Sequence, residues 1–302
     1  GLAVEKIQSA HAVKDAVGEV AAIAAGNLKT EFGDVGLTCV TSTPLITVGS
    51  DFTLDPVAVA PPIQIAFRHN DAAVRVEVCV KEDPDATENI ERDRSGTATA
   101  DRIAAVDIKR AVGEAVIDVF GTMLDMQVEP IDQMPPAVSE TQRTVGSLTW
   151  AGQVDGLLIF QVNDDFGMQM AEAMLGSAVE EIDGAEAVYD VIREVSSNIG
   201  GNLRSKFADA GLACLLSTPA ITSGRDFTVS PIQGITATRF LFAHDESVII
   251  VEAGVRNQSP ISADTAAQTA PPLQPAAADQ PGAPADVDGG AVYLTLTGTS
   301  AE

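Results

Sequence analysis

Three polar residues form a row whose spacing suits chemistry. Asp190, Glu194 and Ser197 fall at i, i+4 and i+7, which puts them on one face of a helix. Ile192 lies two residues from both acids, about 200° around such a helix, so the acids point away from the apolar positions. A carboxylate beside a hydroxyl can pair with a cation and contact a water. The commoner origin of such a row is a solvated acidic face, and spacing alone names no reaction. Asp15, Glu19 and Ala22 repeat the spacing without the hydroxyl.

That recurrence belongs to a longer repeat. Shifted by 175 residues, positions 1–80 align with 176–255 without a gap, and 34 of the 80 positions are identical. The pairs include Gly26/Gly201, Asn27/Asn202, Pro44/Pro219, Asp51/Asp226 and His69/His244. The second copy extends further toward its N-terminal side and is expected to run over 103–256. The first copy, 1–81, then lacks about 70 opening residues by comparison. A tandem duplication with a truncated first copy is the simplest reading. A half-domain completed by another chain is the alternative. Residues 82–102 are acid-rich and almost without apolar side chains, and read as a linker. The Pro/Ala-rich tail over 257–302 is expected to be disordered, although AVYLTLTG at 291–298 alternates like a strand and could add to a sheet edge.

The elements that must position the row follow from periodicity. A long helix is predicted from about Ala185 to Ala210, with Val188, Ile192, Val195, Ile199 and Phe207 as its buried stripe. Ahead of it, Ile108, Val112, Val116, Phe120 and Met123 predict a helix over about 107–125. Strands at Gly146–Trp150 and Gly156–Val162 form a plausible hairpin. Asp164 or Asp165 can cap a further helix that carries Phe166, Met170 and Met174 and stops near Gly176. Strands are expected at about 212–217, 226–230, 237–244 and 247–255. The order predicts an α+β fold, with long helices packed on a largely antiparallel sheet.

Composition narrows the partners. The 302 residues hold 18 Lys plus Arg against 43 Asp plus Glu, a net charge of -25. Nucleic acid and anionic membrane surfaces would be repelled, so a partner should carry a basic rim and associate more slowly in salt. Aromatic residues make up 4% of the chain, so Val, Ile, Leu and Ala must build most of the core. Cys39, Cys79 and Cys214 are too few for a disulfide framework, and no Cys/His spacing suggests a metal site. Cys39 and Cys214 read as buried apolar residues, and His69 and His244 are given no role. No apolar run approaches the roughly 18 residues of a membrane span. The expected setting is cytoplasmic.

The row also resembles a family. The CheC/CheX/FliY chemotaxis phosphatases carry the pattern Asp/Ser-x3-Glu-x2-Asn-x21-Pro. Asp190-x3-Glu194-x2-Ser197-x21-Pro219 meets every spacing, as does Asp15-x3-Glu19-x2-Ala22-x21-Pro44. GEVAAIAAGNLKTEF (18–32), VFGTMLDMQVEP (119–130) and AEAMLG (171–176) are also similar to CheX. The resemblance covers 103–256 and the matching half of the first copy. It implies a duplicated CheX/CheC-like fold whose helix docks on a phosphorylated, CheY-like receiver domain. In that family the Glu pairs with the receiver's conserved Lys, and the Asn amide orients the water that attacks the aspartyl phosphate. The magnesium belongs to the receiver, so no cofactor of the chain's own is expected.

The departure is at the Asn position, which is Ser197 in one copy and Ala22 in the other. A serine hydroxyl reaches about one bond length less than a carboxamide, and alanine contacts no water. Asn198 stands next door, about 100° around the helix from Ser197, and is expected to serve only if a π-bulge near Gly200–Gly201 rewinds the helix. The resemblance therefore makes Glu194 and Ser197 a weak catalytic pair, with Asp190, Asn198, Asp15 and Glu19 as partner contacts. Pro219 and Pro44 are expected to end a strand or fix a turn. Gly200 and Gly201 are expected to allow close packing of the helix on another element, and Gly201 and Gly26 are taken as equivalent structural positions of the motif. The alternative is an inactive receiver-binding or structural dimerisation module. Pairing of the repeats within the chain, or a homodimer, would run through sheet edges.

Overall fold

The computed structural model describes residues 10–36, 39, 41–55, 63–69, 72–82, 97–134, 142–176, 184–231, 235–256 and 290–299. Its helices are α1 (Ala10–Asp34), α2 (Thr97–Ala105), α3 (Ile108–Met123), α4 (Asp164–Leu175) and α5 (Gly184–Asp209). Its strands are β1 (Leu45–Asp55), β2 (Ile63–His69), β3 (Ala72–Glu82), β4 (Glu129–Ile131), β5 (Arg143–Gly152), β6 (Gly156–Asn163), β7 (Cys214–Leu216), β8 (Ala220–Pro231), β9 (Thr238–His244), β10 (Ser247–Val255) and β11 (Gly290–Thr299). One sheet has the order β1-β8-β5-β6-β10-β9-β4, with β7 also paired to β5. A second has the order β11-β3-β2. All the pairings are antiparallel, so the α+β expectation holds.

The predicted stripes are the faces that become buried. Val112, Val116 and Phe120 of α3, Phe166 and Met170 of α4, and Val188, Ile192, Val195, Ile199 and Phe207 of α5 share one core with Leu148, Trp150, Leu158, Phe160 and Val251 of the strands. Val145, Leu157, Ile159, Phe227 and Ile235 form a smaller cluster. Strand β6 contributes alternate residues to each cluster, which is why GLLIF reads as a continuous apolar run.

Helix ends follow local chemistry. Asp107 caps α3 by accepting from Arg110 N at 3.0 Å. The cap of α4 is Asn163, whose side chain accepts from Phe166 N at 2.8 Å, not Asp164 or Asp165. Asn163 ends β6 with an extended backbone, the conformation a cap requires, whereas both aspartates already lie in the first turn. Gly176 closes α4 in the left-handed region, as expected.

Other boundaries differ. Helix α2 occupies 97–102 of the stretch read as linker and buries Ile103. Residues 83–96 of that linker lie outside the described residues. Strand β8 begins at Ala220, not near 226, and β4 was not predicted because three residues carry no periodicity. Within the tail read as disordered, Gly290–Thr299 is a strand, in line with its alternation. Residues 257–289 lie outside the described residues.

The two copies meet through equivalent strands. Under the 175-residue shift β1 corresponds to β8, and these pair about Asp51 opposite Asp226. Ile46 faces Ser230, and its counterpart Ile221 faces Asp55; Gly49 faces Phe227, and its counterpart Gly224 faces Phe52. The register is thus two-fold symmetric. Glycine is needed at both positions: a Cβ on Gly49 would lie 2.1 Å from Asp226 O, and one on Gly224 2.2 Å from Asp51 O.

The first copy is barer than the second. Ile192 and Val195 on α5 are 0% exposed, whereas their counterparts Val17 and Val20 on α1 are 41% and 57% exposed.

Candidate functional site

Helix α5 is held by its apolar stripe, and Ser196 on its inner side is fully buried. The opposite side carries the predicted row. Asp190 and Glu194 are exposed, and Ser197 and Asn198 are half-buried. The structure therefore brings the carboxylate and the hydroxyl to one uncovered ridge.

Asn198 joins them more directly than expected. Its Nδ2 donates to Glu194 Oε1 at 3.0 Å and to the Glu194 carbonyl at 2.9 Å. Measured from Glu194, Asn198 is about 40° around the helix and Ser197 about 60° in the other sense. The two flank the carboxylate, and α5 is α-helical throughout. The helix has no π-bulge near Gly200–Gly201 to turn Asn198 toward the position of Ser197. The signal was the i, i+4 spacing of Glu194 and Asn198, obscured by measuring from Ser197. With both amide hydrogens taken up by Glu194, the amide oxygen is left to accept from a water.

Asp190 has a partner within the chain. Arg193 Nη1 donates to Asp190 Oδ1 at 2.6 Å, and its Nη2 to Asp55 Oδ2 at 2.6 Å. Tyr189 OH lies 3.5 Å from Thr53 Oγ1. In the other direction, Lys14 Nζ of α1 reaches Ser230 Oγ of β8 at 3.4 Å. The helix of each copy thus touches the strand end of the other. Sequence reasoning missed Arg193. The i, i+3 pair with Asp190 was available, but Asp55, 138 residues away, was not.

Pro44 and Pro219 each stand just before a strand of the β1–β8 pair. Pro219 is buried between β7 and β8. Just before it, Ser217 Oγ accepts from Thr149 N at 2.9 Å and Ser217 N donates to Thr149 O at 2.9 Å. Pro44 stands immediately before β1, and Thr43 Oγ1 accepts from Arg256 Nη2 at 2.6 Å. Close packing belongs to Gly200, where a Cβ would lie 2.9 Å from Leu148 Cδ2 and whose carbonyl accepts from Trp150 Nε1 at 3.3 Å. At Gly201 and Gly26 a Cβ would meet nothing within 4 Å, so of the Gly200–Gly201 pair only Gly200 has the close packing expected. On α1, Asp15 is half-buried, and Glu19 and Ala22 are exposed.

Other titratable groups are committed elsewhere. Burial pushes the Cys214 thiol up to about 12, which removes it as a nucleophile. His244 Nδ1 lies 2.7 Å from Gln127 O, with its ring against Phe166. An open groove of about 310 Å³ lies among Arg143, Gln161, Phe227, Arg239 and Glu252. Its cations are engaged: Arg239 Nε donates to Glu252 Oε1 at 2.7 Å, and Arg143 lies over the Phe227 ring at 4.6 Å. Among the described residues no group of three His, Cys, Asp or Glu could hold a metal, and no helix is long and apolar enough to cross a membrane.

The segment that carries this ridge is similar to known proteins. Residues 144–243 match the family model described as chemotaxis phosphatase CheX, and that span contains Asp190, Glu194, Ser197, Asn198 and Pro219. The resemblance read from the sequence holds over this segment. Among solved structures, the chain is similar to the chemotaxis protein CheX of Vibrio vulnificus, at 18% identity and a TM-score of 0.42, over 50% of this chain and 97% of that one. It is similar to a chemotaxis protein CheX of Desulfovibrio desulfuricans at 20% identity and a TM-score of 0.42, over 50% of this chain and 100% of that one. A CheX–CheY–BeF3–Mg complex from Borrelia burgdorferi matches at 17% identity and a TM-score of 0.38, over 50% of this chain and 99% of that one. No curated protein sequence matches.

Proposed function

We propose that the CheX-like part of this chain docks α5 on a phosphorylated, CheY-like receiver domain and promotes hydrolysis of its aspartyl phosphate, in the cytoplasm, in chemotaxis or a related two-component pathway. The observation that carries the proposal is the exposed Glu194–Asn198 pair, on the helix that the CheX family model spans. Glu194 pairs with the receiver's Lys. The Asn198 amide oxygen, its orientation set by two bonds to Glu194, accepts from the attacking water. Ser197 flanks the carboxylate and offers a second contact to water. The receiver's own magnesium and Lys offset the charge that develops on the phosphoryl oxygens. A bond forms from water oxygen to phosphorus as the aspartyl oxygen–phosphorus bond breaks. The products are a free carboxylate and inorganic phosphate, which takes up the water's proton.

The test is the decay of label from a phosphorylated CheY-like receiver, with and without the protein. Decay several-fold faster with protein, and slowed again by Glu194→Gln, supports the proposal. Decay unchanged by a stoichiometric amount of protein removes it. One observation favours a second reading: both amide hydrogens of Asn198 are bound within the helix, and the family's Asn position holds Ser197. On that reading the chain binds the phosphorylated receiver without hydrolysing it. Phosphorylation-dependent binding with unaltered decay would select it.

A further inference from the structure

The two carboxylates of the α5 ridge are held by chemically different partners. Glu194 is held by the Asn198 amide, whose Nδ2 donates to Oε1 at 3.0 Å. An amide is neutral, so Glu194 keeps its full charge. Asp190 is held by a guanidinium, Arg193 Nη1 donating to Oδ1 at 2.6 Å, and a cation offsets the charge it pairs with. Among the described residues no cation pairs with Glu194. Asp190 and Glu194 stand about 6 Å apart along the helix axis and about 40° around it. A cationic group that reaches one can reach the other, and the pairing with Arg193 is what tells them apart.

The first copy fixes that cation. An exposed i, i+3 ion pair is weak on its own, because both side chains stay free to turn. Arg193 has a second anchor: its Nη2 donates to Oδ2 of Asp55, the last residue of β1, at 2.6 Å. The side chains of Arg193 and Asp55 keep 26% and 35% of their exposure, against 75% for Asp190. The Arg193–Asp55 half is therefore the sheltered one, and the Asp190 half meets solvent. A planar fork bonded at one end to Asp55 aims its other nitrogen at Asp190.

The bridge is present on one copy only. Under the 175-residue shift Arg193 corresponds to Gly18 and Asp55 to Ser230, while Ser197 and Asn198 correspond to Ala22 and Ile23. The helix that keeps polar side chains around its glutamate is the one that carries the arginine. The aspartate that anchors it comes from the other copy.

We propose that Arg193 is a positioning residue, anchored by Asp55 of the first copy. It takes Asp190 out of competition and leaves Glu194 as the carboxylate of the ridge open to a partner's cationic group. The docking surface is then a product of both copies. The inference rests on the docking reading above for its partner, the Lys of a phosphorylated CheY-like receiver.

Two experiments on the full chain test it. Arg193→Gln frees Asp190 and keeps helix propensity. The receiver then docks in two ways, of which only the one on Glu194 is productive. The maximal rate of dephosphorylation and the half-saturating receiver concentration should fall together, each by about two- to fivefold, with their ratio unchanged. Adding Asp190→Asn to that variant should restore both, since the competing charge is gone. Asp55→Asn should give the same change in smaller size. A merely structural role for Arg193 would lower the maximal rate at unchanged half-saturation and without rescue, and that result overturns the proposal.

The second experiment needs no receiver. A carbodiimide with glycine ethyl ester converts accessible carboxylates to amides in the folded chain, and peptide mass spectrometry counts each site. Asp190 should label about two- to fivefold more in Arg193→Gln and in Asp55→Asn than in the parent, with Glu194 unchanged. Trp150 fluorescence reports that each variant stays folded. Equal labelling of Asp190 in all three proteins overturns the proposal, whatever the receiver assay gives. A parent that neither binds the phosphorylated receiver nor speeds its decay, with the labelling as expected, overturns the docking reading and leaves the hold of Arg193 on Asp190 standing.

Discussion

Asn198 holds Glu194 by two hydrogen bonds from one amide nitrogen, to the carboxylate at 3.0 Å and to the carbonyl at 2.9 Å. The Asn198 amide is thereby locked to the carboxylate that the proposed docking uses. Asn198→Ala removes the amide oxygen and frees the carboxylate to rotate. Acceleration of receiver dephosphorylation should fall to near the receiver's unaided rate, because the water loses its oriented acceptor. Binding of the phosphorylated receiver should change by less than about threefold, since Glu194 remains. Single-turnover decay and a pull-down, run on the same preparation, separate the two. A variant as fast as the parent would return the water to Ser197.

Ser197→Asn places the family's amide at the family's position. If α5 docks as proposed, the variant should dephosphorylate the receiver about tenfold faster than the parent, or acquire activity if the parent has none. Serine and asparagine have similar helix propensities, so thermal unfolding should hardly move. No gain in rate would count against the docking geometry, whichever residue holds the water in the parent.

Parts of this arrangement were legible and parts were not, for physical reasons. The stripe Val188–Phe207 gave α5 because a long amphipathic helix repeats its signal over several turns. Three-residue β4 repeats nothing. The α4 cap went to Asn163 because the choice among three adjacent polar residues depends on which one keeps an extended backbone. The symmetric pairing of β1 with β8 joins residues about 175 apart, and no local pattern encodes a partner at that distance. The Arg193 link to Asp55 was hidden for the same reason. The candidate ridge was readable because it lies within one helix, where spacing and angle are the same quantity.

The paired glycines at the middle of α5 should respond oppositely to alanine. At Gly200 a Cβ would press on Leu148 Cδ2 at 2.9 Å and Cδ1 at 3.1 Å, within the core. Gly200→Ala should cost about 1–3 kcal/mol as Leu148 is forced from its packing. Gly201 faces open space, so Gly201→Ala should stabilise the helix by up to about 1 kcal/mol. Urea unfolding of the two variants checks both. Equal effects would mean that the Trp150–Leu148 side of α5 is looser than described.

Asp164 gives a pH dependence with a definite sign. Burial is the main cause that raises its carboxyl above the ordinary range, against a hydrogen bond from Thr144 Oγ1 at 2.9 Å. A carboxyl whose folded pKa is raised binds more protons in the folded state, so it subtracts from stability as pH rises through the window between the two pKa values. Below the unfolded value the penalty is absent. Asp164→Asn keeps an acceptor for Thr144 and removes the charge. It should raise the melting temperature at pH 7 and lose that advantage as pH falls below the ordinary aspartate range. A melting series from pH 3 to 7 tests it, and an advantage that grows toward acid would contradict the sign.

Asp51 and Asp226 stand directly opposite each other at the pivot of the β1–β8 pair, where like charges oppose the joining of the two copies. Ser50 Oγ donates to Asp226 Oδ2 at 2.7 Å and offsets part of that repulsion. Asp51→Asn leaves this bond in place and removes one of the opposed charges, so it should stabilise the junction by a few tenths of a kcal/mol. Both aspartates are exposed, so salt screens them, and the gain should shrink as ionic strength rises from about 0.05 to 0.5 M. Ser50→Ala should act in the opposite sense by exposing Asp226 to the full repulsion, and that loss should also fade with salt. Denaturation of both variants at the two salt concentrations decides the matter. A gain from Asp51→Asn that does not depend on salt would mean that charge at the pivot is not what opposes the pairing.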